Sequence, residues 1–151
     1  MLTATKEFTF DCAHRLMGHN GLCRNVHGHT YRLQVTIRYL NEKEDQTLRG
    51  GSSDGMVMDF KFLKGIVTQH IISEYDHAYV CETVEEDVVA ALLNEMRMRV
   101  VEMGRRPTAE NMALHFAEIL RGELPLFTHL VSVRVWETPT SFAEVVVDEN
   151  L

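Results

Sequence analysis

The chain has 151 residues, of which 45% are hydrophobic and 25% are charged, values typical of one globular domain spanning residues 1–151. Its net charge of −7 argues against a nucleic-acid or anionic-lipid partner, because phosphate groups attract basic surfaces. Its apolar stretches are too short to cross a membrane, and its first residues lack the apolar run of a secretory signal. Because the three cysteines cannot all pair with one another, we expect a reducing compartment, the cytoplasm.

Two strands are predicted in the first forty residues from the alternation of apolar and polar side chains. In residues 5–15, every second side chain from position 8 to position 14 lies on the same face and is mostly apolar: Phe8, Phe10, Cys12 and His14. Residues 27–39 alternate over a longer stretch, which predicts a strand with one buried face and one wet face. Residues 41–55 are polar and end in a glycine-rich run, which predicts a loop.

The rest of the chain predicts three helices, one capped by Asp59, one over residues 85–96 and one capped by Thr108. A connector is predicted over residues 75–80 and a short strand over residues 99–103. The last element is a hairpin whose two strands span residues 131–138 and 142–148. The first helix has an apolar stripe formed by Phe60, Leu63, Val67 and Ile71 and widened by Phe62 and Ile66. Strands covered by helices on one face make the predicted fold class α+β.

Three histidines extend the apolar faces of the first two strands. His27 and His29 are two residues apart, so their side chains leave the same face, and His14 continues the apolar face of the other strand. Gly28, between His27 and His29, allows the backbones of the two strands to approach closely. Three neutral imidazoles with one open coordination position are typical of a catalytic zinc site, so we predict a metal there. The alternative is three separately hydrogen-bonded histidines at the rim of the core.

Two further side chains are placed near this predicted site. Three residues separate Cys23 from His27, so the thiol is a candidate fourth ligand, acid/base group or bystander. Glu137 ends the apolar face of a strand that contains Val131, and a carboxylate at the rim of a core needs a partner. That partner is either a ligand with paired N–H groups or water.

The Asp76–His77 pair and Glu110 carry little information by themselves. A loop Asp–His pair is more often a surface feature than a catalytic one. A glutamate in the first turn of a helix is explained by the helix dipole.

Several motifs, taken together, span nearly the whole chain. They are FDCAHRL (10–16), CRNVHGHTY (23–31), MDF (58–60) with Leu63 and Lys64, YDH (75–77), PTAEN (107–111) and VRVWET (133–138). As a set they resemble the 6-pyruvoyltetrahydropterin synthase / 6-carboxytetrahydropterin synthase family. The resemblance implies the tunnelling fold (T-fold), an antiparallel sheet with helices on one face. In that family, sheets of several subunits join into a barrel, typically in a homohexamer built of two trimers.

For the site, the resemblance implies 7,8-dihydroneopterin triphosphate as substrate and Zn²⁺ held by His14, His27 and His29. It implies that Cys23 is the general acid/base and that a glutamate, here Glu137, anchors the pterin ring. The remaining implied residues are Asp76 and His77 as partners of the thiol, from a neighbouring subunit in some members, and Glu110 and Thr108 on the pterin side.

The family divides by product. The queuosine branch makes 6-carboxy-5,6,7,8-tetrahydropterin with release of acetaldehyde and triphosphate, and it usually has three residues between the Cys and the first His. The biopterin branch makes 6-pyruvoyltetrahydropterin and usually has a longer gap, whereas a folate-related branch has Glu in place of the Cys. Residues 24–26 fill the gap here, which favours the queuosine branch. The pyruvoyl-forming enzyme and an inactive pterin-binding homologue remain alternatives.

The chain departs from the family pattern in three places. Cys12 stands where a small residue such as Ala or Ser is common, and residues 41–55 and 81–106 are longer than in compact members. Arg15 and Arg24 are candidates for contacting the triphosphate, with simple surface exposure as the alternative.

Overall fold

The computed structural model describes residues 1–40 and 46–147. The predicted loop 41–55 and the predicted strand 142–148 therefore lie partly outside the described residues. The strands are β1 Ala4–His14, β2 His27–Tyr39, β3 Ala78–Cys81, β4 Val100–Glu102, β5 Thr128–Thr138 and β6 Ser141–Val146. The helices are α1 Phe60–Val67, α2 Ser73–Tyr75, α3 Val88–Glu95 and α4 Ala109–Glu123, with a π-helical turn Thr68–Ile72 joining α1 to α2. None of the described helices is both long enough and apolar enough to span a bilayer.

The six strands form one mixed sheet in the order β4-β3-β1-β2-β5-β6. The pairs β1–β2, β2–β5 and β5–β6 are antiparallel, as the sequence predicts, but β3 runs parallel to both β1 and β4. The prediction of a connector over residues 75–80 is wrong for its second half, because β3 begins at Ala78. All four residues of β3 are buried, so this strand lacks the alternation that identifies a half-exposed strand. Within the described residues, the sheet does not close into a barrel.

The main core lies between one face of the sheet and the helices α1 and α4. On α1 and the π-helical turn, Leu63, Val67 and Ile71 are fully buried. The predicted stripe is wrong for Phe60 and Phe62, which are 51% and 53% exposed. Leu63, Val67 and Ile71 are spaced by four residues and already fill the contact with the sheet, so the two phenylalanines at the start of the helix extend beyond it.

A β-bulge in β5 corrects the predicted face of that strand. Thr36 pairs with Ser132 but Ile37 pairs with Leu130, so Val131 is the extra residue. The bulge shifts the alternation by one residue, and Leu130 takes the buried position predicted for Val131. Val133 and Val135 keep their predicted positions in the core.

A buried charged network joins the end of β1 to α3. Asp87 is 3% exposed, caps α3 by accepting from the N–H groups of Val89 and Ala90, and accepts 2.8 Å and 3.3 Å hydrogen bonds from Arg15. The Tyr79 hydroxyl donates to the same carboxylate at 2.9 Å. Burial by itself raises the pKa of Asp87, but hydrogen bonds from Arg15 and Tyr79 outweigh it and hold the pKa below its usual value. The ion pair gives Arg15 a structural partner.

We expect Asp87→Ala to lower the free energy of unfolding by about 3 kcal/mol, because it removes a helix cap and leaves Arg15 without its counter-charge. The melting temperature should fall by about 6–12 °C for a chain of this size. Since the native pKa is lowered, the stabilisation is present above the unfolded pKa of about 4 and is lost as the pH falls. The loss continues until the pH falls through the lowered pKa of the folded state, so thermal melts at pH 7 and pH 2 test this, with exposed Glu86→Gln as control. If Asp87→Ala lowered the melting temperature by the same amount at both pH values, the prediction would be contradicted.

Candidate metal centre and pterin site

Three histidine side chains converge where β1 ends and β2 begins. The antiparallel register pairs His14 with His27 and Cys12 with His29, so the three imidazoles leave one face of adjacent strands. Their candidate ligand atoms all lie within 4.8 Å of one another. Gly28 eases the close approach of the strands, because a Cβ at this position would lie 3.2 Å from the Cys12 carbonyl oxygen and push it away by a few tenths of an ångström.

Two backbone carbonyls fix how these imidazoles can bind. His14 Nδ1 lies 2.7 Å from the Pro107 carbonyl oxygen, and His27 Nδ1 lies 2.8 Å from the Asn25 carbonyl oxygen. A carbonyl oxygen only accepts, so both Nδ1 atoms carry a proton, and in the neutral form of each imidazole the Nε2 atom presents a lone pair. The two Nε2 atoms are 3.1 Å apart. The buried Nε2 of His29 has no hydrogen-bond partner among the described residues.

This donor set fits a metal ion. Lone pairs that face one another at short distance repel unless a cation lies between them. An imidazole that ligates a metal through Nε2 commonly donates its Nδ1 proton to a backbone carbonyl, as His14 and His27 do here. Burial lowers the pKa of His14 and of His29, which favours the neutral, ligating form. The residues present therefore suit a His₃ site with open coordination positions.

Glu137 lies next to the histidine cluster. Its Oε1 is 3.6 Å from His14 Nε2 and 3.9 Å from His29 Nε2. The β5–β6 register shifts between Trp136 and Thr138, which leaves Glu137 between them outside the regular pairing. Its side chain is 30% exposed and faces a cavity of about 530 Å³ that Trp136 also lines. A half-open carboxylate at the edge of a cavity is suited to binding a heterocycle through paired N–H groups.

Cys23 lies in the loop between β1 and β2, on a short 3-10 helix, Leu22–Arg24. The loop is closed by a 2.7 Å hydrogen bond from the Leu16 N–H to the Cys23 carbonyl. The thiol is half-buried and is not part of the group of converging ligand atoms. This placement argues against a fourth ligand and leaves an acid/base group or a bystander.

Asp76 and His77 form a second cluster, separate from the three histidines. His77 Nδ1 is 3.0 Å from Asp76 Oδ2, and Asp76 Oδ1 accepts a 2.9 Å hydrogen bond from the Asp11 N–H. That bond and the neighbouring His77 hold the pKa of Asp76 below its usual value. The Asp11 carboxylate belongs to this cluster, and Asp11 and His14 project from opposite faces of β1, so the pair is not among the converging histidine ligand atoms. His77 is 76% exposed and free to meet another molecule.

The structure places the two remaining predicted residues at the start of α4. Thr108 is its N-cap and accepts a 3.3 Å hydrogen bond from the Asn111 N–H. Glu110 is exposed in the first turn, and no described contact joins it to the histidine cluster. Arg24, the second candidate for the triphosphate, is exposed beside Cys23.

Two features of the site could not be predicted from the types of side chain in the sequence. The Pro107 and Asn25 carbonyls orient the imidazoles, but every residue has a carbonyl. The PTAEN motif at 107–111 indicated the helix start beside Pro107, and only the folded chain shows that this start lies against His14.

Comparison with known proteins agrees with this geometry. The family model described as 6-pyruvoyl tetrahydropterin synthase matches residues 3–147. The chain belongs to the 6-pyruvoyl tetrahydropterin synthase family. Among curated members, a 6-carboxy-5,6,7,8-tetrahydropterin synthase from Haemophilus influenzae is 39% identical over 95% of this chain and 98% of its own length. A Synechocystis protein of the same name is 33% identical over 91% of this chain and 88% of its own.

Solved structures of other proteins share the fold. An uncharacterized protein from Wolinella succinogenes superposes with a TM-score of 0.72 at 23% identity, covering 97% of this chain and 98% of its own. The 6-pyruvoyl tetrahydropterin synthase of Caenorhabditis elegans has a TM-score of 0.67 at 23% identity, over 97% and 96% of the two chains. The expectation of a tunnelling-type α+β fold is thereby confirmed, with the sheet mixed instead of wholly antiparallel.

Proposed function

We propose that this chain is a zinc-dependent 6-carboxytetrahydropterin synthase of the queuosine branch. It converts 7,8-dihydroneopterin triphosphate and one water molecule to 6-carboxy-5,6,7,8-tetrahydropterin, acetaldehyde and triphosphate. The observation that carries the proposal is the convergence of one ligand atom from each of His14, His27 and His29 within 4.8 Å of one another. Glu137 Oε1 lies beside them, 3.6 Å from His14 Nε2 and 3.9 Å from His29 Nε2. The 39% identity to the Haemophilus protein and the three-residue gap after Cys23 support this branch over the pyruvoyl-forming one.

His14, His27 and His29 would hold the zinc ion, since three neutral imidazoles are a common donor set for catalytic zinc. When bound, zinc supplies Lewis-acid polarisation of a substrate oxygen. The carbonyls of Pro107 and Asn25 keep two of the imidazoles oriented before substrate arrives.

Glu137 would anchor the pterin by accepting two N–H groups of the ring, which fixes the orientation of the substrate side chain. Thr108 and Glu110 are proposed as further pterin-side residues, from the matched PTAEN motif. Cys23 would act as general acid/base on the substrate side chain. Asp76 accepts the Nδ1 proton of His77 and so leaves Nε2 of His77 as the group that can exchange a proton.

We infer that the active enzyme is a homo-oligomer, a hexamer built as a dimer of trimers. Within the described residues, β1 pairs with β3 only over Cys12–His14, so the edge of its N-terminal part is unpaired. An unpaired edge of this length invites another strand. The Asp76–His77 pair lies on the opposite side of β1 from the histidine cluster, which supports its use in the site of a neighbouring subunit. Residues 1–151 are proposed to be one synthase domain acting in the cytoplasm on a small-molecule substrate, without nucleic-acid or membrane partners.

The proposal is tested by incubating the zinc-loaded protein with 7,8-dihydroneopterin triphosphate. Products are identified by mass, and acetaldehyde is trapped as a hydrazone. We expect 6-carboxytetrahydropterin and acetaldehyde in equal amounts. Accumulation of 6-pyruvoyltetrahydropterin without acetaldehyde would assign the chain to the biopterin branch, and pterin binding without turnover would identify an inactive binder.

Glu137→Gln should raise KM for the pterin substrate about 10- to 100-fold, because an amide replaces one charge-assisted acceptor by a donor. Steady-state kinetics and pterin binding by fluorescence measure the change. The matched control is Glu144→Gln, whose carboxylate pairs with Arg134 on the neighbouring strand. An unchanged KM would remove Glu137 from the pterin site.

A further inference from the structure

The Asp76–His77 pair lies in a short turn between α2 and β3. The backbone of this turn has an unfavourable conformation. His77 has a positive φ of 60°, the left-handed conformation that costs a residue with a Cβ about 1 kcal/mol or more. Such a conformation persists only where neighbouring contacts determine it. One contact comes from β1, where the Asp11 carbonyl accepts a 2.6 Å hydrogen bond from the His77 N–H.

A second set of contacts comes from Arg99. Its Nη1 donates to the Ser73 carbonyl at 2.8 Å and to the Asp76 carbonyl at 2.9 Å. α1, the π-helical turn and α2 form one continuous helical segment that ends at Tyr75, and these are among its last carbonyls. A cation is favourable there, and the free acceptors need a donor. The Arg99 backbone carbonyl also accepts a 3.0 Å hydrogen bond from the Tyr79 N–H just after the turn. One residue thus fixes the turn on both sides of His77.

Arg99 and His77 also line the same open cavity, of about 560 Å³, on the side of the sheet that carries Asp11. Without Arg99, the carbonyls of Ser73 and Asp76 would turn toward water, and the strained backbone at His77 could relax. A displacement of about 1 Å at an acid/base group is enough to slow a reaction strongly.

We propose that Arg99 is a positioning residue that holds the Asp76–His77 turn in the geometry used for proton transfer. The inference rests on the proposed function, because its activity test requires the proposed reaction. Its structural test depends only on the hydrogen bonds of the turn. It also gives a role to the 81–106 segment, which is longer than in compact family members.

The test uses the zinc-loaded full chain with Arg99→Met, and Arg97→Met as the matched control from the same segment. We expect Arg99→Met to lower kcat about 10- to 100-fold, with KM within threefold, unchanged zinc content and a melting temperature within about 3 °C. Hydrogen exchange measured by mass spectrometry should accelerate in the peptide covering residues 73–80 and stay unchanged in β2 and β5. Arg97→Met should match the wild type in each measurement.

A double-mutant comparison separates positioning from a general structural role. If Arg99 acts through His77, adding Arg99→Met to His77→Ala should lower the residual kcat by less than about twofold. A multiplicative loss in the double mutant, or unchanged exchange over residues 73–80, would overturn the proposal. If the wild type itself does not turn over the pterin triphosphate, the proposed function fails, and the exchange measurement still decides whether Arg99 holds the turn.

Discussion

Cys23→Ala is expected to lower kcat by about 10²- to 10⁴-fold, because general acid/base catalysis by one group contributes on that scale. Zinc content should stay at one ion per subunit, since the thiol is not among the converging ligand atoms. Pterin binding should also persist, because Glu137 is untouched. Product formation by mass spectrometry, zinc by elemental analysis and pterin binding by fluorescence give three independent readouts.

Cys12→Ala is the matched control for this experiment. Cys12 is buried in β1, and burial raises the pKa of its thiol to about 12, so this group stays protonated at neutral pH. Iodoacetamide should therefore inactivate the enzyme by modifying the half-buried Cys23 while Cys12 remains unmodified. Normal turnover in Cys23→Ala would make Cys23 a bystander, and loss of zinc in that variant would make it a ligand.

His29→Ala is expected to abolish turnover and to reduce bound zinc to a small fraction of one ion per subunit. The variant removes one of three imidazole donors and leaves two, which is too few for a tight site. The wild type should lose activity in a chelator and regain it with added zinc. Because a ligand present at 100 to 1,000 times its Kd stabilises the folded state by about 3–4 kcal/mol, zinc should raise the melting temperature by about 6–16 °C.

The control for His29→Ala is His70→Ala. His70 lies on the π-helical turn, where its Nε2 is 3.4 Å from Glu123, and it is not part of the histidine cluster. We expect this variant to keep its zinc, its activity and its zinc-dependent gain in melting temperature. Full zinc occupancy in His29→Ala, or a wild-type melting temperature that does not respond to zinc, would contradict the assigned metal centre.

The sequence determined the local features of this protein. Alternating side chains predicted β1 and β2, and Asp59 and Thr108 cap their helices as their residue types indicated. The spacing of His27 and His29, together with the parity of His14, predicted that the three imidazoles would share one face, and the register confirms it. These features depend on neighbours within a few residues, which is why a pattern in the sequence can report them.

Only the tertiary structure decided the features that depend on distant segments. The strand β3 forms because β1 and β4 pair with it on both sides, and the bulge at Val131 follows from pairing with β2. Phe60 and Phe62 are exposed because other side chains of the helix fill its contact with the core. The Pro107 carbonyl reaches His14 across 93 positions of the chain, and Arg99 reaches Ser73 across 26. Such contacts arise when packing of the core brings separate segments together, and no local spacing encodes them.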